Sequence, residues 1–135
     1  MEQAGSKRIH VARVIFALLT GLFTLCLIIQ LFIAGLAIFV DSTFWPRHTL
    51  FAHIFDKIPL LMLLLSFLGR FPVKIRWYSA ALFGLVFVMY FTANIRPILP
   101  WVAATHPVVA VGMIGLALLV MVKISPYLIG SKSKP

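Results

Sequence analysis

The sequence predicts an all-α membrane protein: a four-transmembrane-helix bundle with both termini in the cytoplasm. Three observations carry that expectation. Hydrophobic residues fill 62% of the 135 positions and charged residues 11%, at a mean hydropathy of +1.08, well outside the range of soluble domains. The apolar residues fall into four runs, each able to supply the ~20 residues a crossing needs. The twelve Lys and Arg residues stand in small groups at the ends of those runs, as charge that sets topology does. This placement accounts for the net charge of +9 without a nucleic-acid partner.

The first span is expected over Val11–Val40, behind a polar N-terminal arm of residues 1–10. Lys7, Arg8 and Arg13 ahead of an apolar stretch resemble a signal peptide, but the run from Val14 to Val40 far exceeds the ~7–15 residues of a cleavable core. It reads as a retained helix, longer than a ~30 Å hydrocarbon core at ~1.5 Å per residue, which must tilt or protrude. Phe23, Cys26, Gln30, Ala34 and Ala37 form a stripe at helical spacing along it. A glutamine in hydrocarbon needs a partner, and Tyr90 or Asn94 of the third span is the candidate. Cys26, the single cysteine, reads as packed rather than reactive and has no second thiol to bridge.

The second span is expected over His48–Gly69 and the third over Trp77–Ile95, closed by Asn94 and the Arg96-Pro97 break. Thr105-His106-Pro107 opens the fourth, with proline at the first helical position. It should run to about Ile124 and end at Ser125-Pro126, so that one domain covers residues 11–128 and a cytoplasmic tail covers 129–135. Small residues predict close helix approach at Ala17 and Gly21, at Ala80 and Gly84, and at Gly112 with Gly115.

Basic residues orient the bundle. Lys7, Arg8, Arg13, Arg70, Lys74, Arg76, Lys123, Lys132 and Lys134 share one side, against Arg47, Lys57 and Arg96 on the other. The positive-inside rule places the first group in the cytoplasm, with Trp77 at the inner interface and Trp45 and Trp101 at the outer one.

That topology gathers His48, His53, Asp56, Lys57 and His106 toward the outer face. At 100° per residue, Asp56 and Lys57 lie ~60° and ~40° from His53, whereas His48 points ~140° away. Ionised groups below the interface should face protein, water or each other. The plain structural reading is that Lys57 snorkels outward while Asp56 accepts hydrogen bonds from a neighbouring helix.

The functional reading is a cofactor site. Imidazole nitrogens suit haem iron, so His53 and His106 are the expected metal ligands of a haem b. Gln30 or Asp56 would orient an imidazole from behind, His48 joins the same small site only if the helix starts after it, and Arg47, Lys57 and Arg96 are available to pair with propionates. Such a protein would serve electron transfer or a respiratory complex. The runner-up is a non-redox accessory or assembly subunit, or a small proton-coupled permease using Asp56 and the histidines. His106 before Pro107 also sits where a capping residue would, although Thr105 is the better capping type. No HExxH, GxSxG, phosphate-binding loop or CxxC pattern occurs, and no nucleophile accompanies the histidines, which disfavours catalysis. Membrane lipid is the expected surrounding, with a membrane-protein partner or a second copy as the conceivable protein contact.

The run Gln30-Leu31-Phe32-Ile33-Ala34-Gly35-Leu36-Ala37-Ile38-Phe39, then Trp45 with His48, then His106-Pro107-Val108, resembles the order of residues in the DUF6220 family of small four-helix bacterial membrane proteins. The resemblance implies four helices and draws attention to Gln30, Gly35, Trp45, His48 and His106. It implies no activity. The chain departs from the family pattern at Phe51-Ala52, where a glycine is expected, and at Val109, where an asparagine is expected.

Overall fold

A computed structural model describes residues 2–128. Helix α1 runs over Glu2–Phe39. A 3₁₀ turn at Ser42–Phe44 leads into α2, Trp45–Phe55, and α3, Ile58–Leu68. Helix α4 covers Val73–Asn94, the single-turn α5 covers Pro100–Ala103, and α6 covers His106–Leu128. Four stretches are long and apolar enough to cross a membrane: Gly5–Phe39, Ser42–Leu68, Val73–Asn94 and Pro100–Leu128. They pack as a ring in chain order, with α1 against α3 and α6, and α4 against α3 and α6. Four passes bring Glu2 and Leu128 to the same end of the bundle.

The interior is built from Phe16, Phe23, Met62, Leu82, Met113, Ala117, Val120 and Ile124, all buried. Leu18, Phe32, Leu64, Phe87, Val111 and Val122 point outward, where lipid rather than water is the neighbour. Lipid tails are as apolar as leucine, so close packing and hydrogen bonding hold such helices together. Buried hydroxyls are satisfied within their own helix: Thr20 donates to Phe16 O at 2.8 Å, Thr24 to Thr20 O at 2.8 Å and Ser79 to Ile75 O at 3.0 Å. Of the close-approach glycines predicted from sequence, only Gly21 has a tight neighbour: a Cβ there would lie 3.3 Å from Met121 Cε. Gly84, Gly112 and Gly115 face open space, so those small-residue surfaces are not helix contacts.

Two boundaries differ from expectation for reasons of backbone hydrogen bonding. The second span is not one helix: it begins before His48 and breaks at Asp56 and Lys57. Pro59 has no N–H and its ring crowds the preceding turn, which stops α2 from continuing. The Lys57 ammonium covers the exposed His53 carbonyl at 3.3 Å. The fourth span, in contrast, continues past Ser125-Pro126 to Leu128. Pro126 cannot donate to Val122 O, but the Ser125 hydroxyl donates to that oxygen at 2.9 Å and the helix survives. The arm preceding Val11 is helical too, as the first turns of α1.

The α3–α4 connection is a Schellman turn. Gly69 closes α3, Arg70 N–H donates to Phe67 O at 3.0 Å and Phe71 N–H to Ser66 O at 3.1 Å. Arg70 takes the left-handed position at φ 49°, which glycine usually fills.

Candidate functional site

At the end of the bundle away from the termini, a cavity of about 480 Å³ opens between the four spans. Its size lies in the range of sites for small molecules and cofactors. Phe23, Leu27, Val86, Met89 and Met113 make its apolar walls, and Gln30, His48, His53, Asp56, Tyr90, Asn94 and His106 its polar ones. The early start of the second helix matters here. It turns His48 toward α1 while His53 faces α4, so the ~140° between them spreads two imidazoles around one space instead of excluding one.

The hydrogen-bond partners of the three imidazoles favour one tautomer of each. His48 Nδ1 lies 3.2 Å from the Gln30 carbonyl oxygen; a carbonyl only accepts, so Nδ1 carries the proton. His106 Nδ1 lies 2.9 Å from Thr92 Oγ1, and that hydroxyl already donates to Val88 O at 2.9 Å, so the ring donates to it. His53 Nδ1 lies 2.8 Å from the Tyr90 hydroxyl, whose proton goes to Asp56 Oδ2 at 2.7 Å. Here too the ring is the donor. Each imidazole keeps a bare Nε2, and among the described residues none of these atoms has a hydrogen-bond partner.

The histidines differ in setting. His48 and His106 are half-buried, His53 is exposed. His53 stacks on Tyr90 with ring centroids 5.4 Å apart and sits 3.7 Å from Asp56. Asp56 in turn accepts from Lys57 at 2.7 Å. His53, Asp56 and Tyr90 line the cavity, with Asp56 bonded to a neighbouring helix and Lys57 exposed outside it, as the plain structural reading had them.

Gln30 is 8% exposed. Its expected partner on the third span is not the one it finds: Nε2 donates to His48 O at 2.8 Å, because α2 lies closer to that face of α1 than Tyr90 or Asn94 does. Its Oε1 is buried with no partner. Asn94 instead donates to Tyr90 O at 2.8 Å. Arg47, Arg96 and Lys57 do not line the cavity. The Arg47 guanidinium lies over the Phe44 ring at 4.7 Å, and Arg96 belongs to the exposed turn after α4. Thr105 does not cap α6; its hydroxyl donates back to Val102 O at 2.6 Å. Asp41, outside the spans, accepts from Thr43 N–H at 2.8 Å, and this bond holds its carboxyl below the usual range. It serves the 3₁₀ turn and not the cavity. Cys26 is buried and plays no part in the site.

Tyr90 and Thr92 are the residues that sequence reasoning undervalued. Two positions apart on α4, they project to nearly opposite sides, and so hold an imidazole of α2 and one of α6 from a single helix. Their one visible signal is that Tyr90, Thr92 and Asn94 crowd three polar groups into the last turns of an apolar span.

Among the described residues no cluster of three or more His, Cys, Asp or Glu could hold a metal ion. A lone ion bound by the three imidazoles together is therefore not what this arrangement offers. No curated protein and no solved structure matches the chain. Residues 30–95, which include Gln30, His48, His53, Asp56, Tyr90 and Thr92 but stop short of His106, match the model of DUF6220, a family of unknown function.

Proposed function

With the DUF6220 match over residues 30–95 as its premise, we propose that this multi-pass protein resides in the cell membrane and holds a haem b in its outer-face cavity, for electron transfer or within a respiratory assembly. One observation carries the reading. Two half-buried, cavity-lining imidazoles from different spans, His48 and His106, each hold Nδ1 on an oxygen of a neighbouring helix, Gln30 O and Thr92 Oγ1, and leave Nε2 unbonded. Histidines that ligate metals have this pattern, because the outer hydrogen bond fixes the tautomer and the ring plane and raises ligand basicity. His48 thus replaces His53 as the favoured partner of His106, since His53 is exposed and engaged with Tyr90.

The other lining residues suit a porphyrin in part. Phe23, Leu27, Met89 and Met113 offer flat apolar contact. Lys57, Arg47 and Arg96 all lie outside the lining, and Lys57 is joined to the rim through Asp56, where a propionate would meet it. Gln30 Oε1 is not explained by haem, which has no proton to give it; it calls for a donor such as a cavity water. When bound, haem supplies one-electron redox chemistry at a potential tuned by its axial ligands and burial. The protein's share is to orient two imidazoles.

The test is pigment. Protein purified from haem-replete cells should show a Soret band that disappears in His48→Ala and in His106→Ala and persists in His53→Ala. A colourless wild-type protein sinks the proposal. The connected chain His53–Tyr90–Asp56 favours a second reading, a non-redox protein that moves protons with a substrate. Substrate-dependent proton uptake in liposomes that is unchanged in Asp56→Asn would remove that reading.

A further inference from the structure

At the opposite end of the bundle a second cavity of about 580 Å³ is lined by Ser6, His10, Arg13, Arg70 and Tyr127, among others. One wall is the stretch of α1 preceding Val11, which extends the helix beyond its apolar part. Another is the Schellman turn between α3 and α4.

The two arginines are held differently and for different ends. Arg13 Nε donates to Gly69 O at 2.9 Å, and its guanidinium lies 5.7 Å from the Phe71 ring centroid and 5.4 Å from that of Tyr127. The head group is fixed by one nitrogen and two rings, which leaves its terminal nitrogens as donors. Arg70 is the left-handed residue of the turn, a conformation unfavourable to a non-glycine residue. Among the described residues no carboxylate reaches either arginine; both ion pairs found involve Asp56 at the far end. Two guanidiniums, an imidazole and two hydroxyls therefore share one cleft with no counter-charge among the described residues.

We propose that this cleft is a phosphate site, which seats the headgroup phosphodiester of an anionic phospholipid between Arg13 and Arg70. Guanidinium matches phosphate oxygens through paired N–H donors, and basic pockets between transmembrane helices favour anionic headgroups. The cleft lies where headgroups lie, just beyond the apolar part of α1. The last turn of α3, which leads into Arg70, exposes Phe67 and Leu68, an apolar surface open to acyl chains. Free phosphate offers the same oxygen chemistry without such chains.

The experiment uses the full chain, delipidated in detergent, with native mass spectrometry on addition of phosphatidylglycerol or phosphatidylcholine. Phosphatidylglycerol should be retained about tenfold over phosphatidylcholine, and the preference should collapse in Arg70→Gly. That variant keeps the turn, because glycine is at ease at a left-handed φ, and its melting temperature should not fall. Arg13→Lys, which keeps charge but loses the planar fork, should weaken retention severalfold. Equal retention of the two lipids, or a preference untouched by both substitutions, overturns the proposal. Phosphorus NMR with inorganic phosphate provides the second arm: binding of phosphate without any lipid preference would assign the cleft to a soluble anion and overturn the lipid assignment.

Discussion

The two ends of this bundle handle polarity in opposite ways. At the cavity end, Asp56, Tyr90, Lys57 and three imidazoles hydrogen-bond to one another and to backbone, and what remains unpaired is a set of lone pairs: three Nε2 atoms and Gln30 Oε1. At the terminal end, what remains unpaired is positive charge. The difference teaches that one small bundle can complete much of its own network and still leave acceptors free at one end and donors free at the other, demands that the proposed haem and phosphate sites would each meet. The two demands should be separable by substitution.

The largest expected effect breaks the cavity end alone. His106→Ala should abolish haem absorbance while leaving phosphatidylglycerol retention at the wild-type level; loss of both together would mean the variant had simply unfolded. Next comes Asp56→Ala, which strands the Tyr90 hydroxyl and the Lys57 ammonium. It should lower stability in detergent by about 1–3 kcal/mol, read as a fall in melting temperature, and Asp56→Asn should recover part of that loss. Arg70→Gly sharpens the contrast from the other end: relief of the left-handed backbone should raise stability by up to about 1 kcal/mol with the Soret band unchanged. Smallest is Gln30→Leu. It removes the 2.8 Å bond to His48 O but also the stranded Oε1, so thermal stability should move by less than about 1 kcal/mol. A large loss there would show that Oε1 has a strong partner within the cavity.

Hydropathy and charge made the four crossings legible, since length and apolar composition are properties of a single helix. Proline was harder to read. Pro59 breaks a span and Pro126 does not, and the distinction lies in whether a hydroxyl such as that of Ser125 can serve the carbonyl left without a donor. The placement of His106 at the cavity end followed from where the fourth span starts, and the pairing of Asp56 with a neighbouring helix followed from the cost of charge in lipid. The partner of Gln30 was not visible, because it depends on the rotation of α1 relative to α2, which no residue in either helix encodes alone. The roles of Tyr90 and Thr92 were hidden for the same reason: each becomes meaningful only when α4 is known to stand between α3 and α6.

The interruption at Asp56 and Lys57 has a further consequence for how the protein exists at all. Helices α2 and α3 have 11 residues each, about 16 Å of helix, roughly half the hydrocarbon thickness. Neither rod could remain in a bilayer by itself, so this crossing persists only while its neighbours keep the two halves end to end. Damage to the packing around the joint would then be felt as a miscounted passage through the membrane, with every later segment delivered to the wrong side.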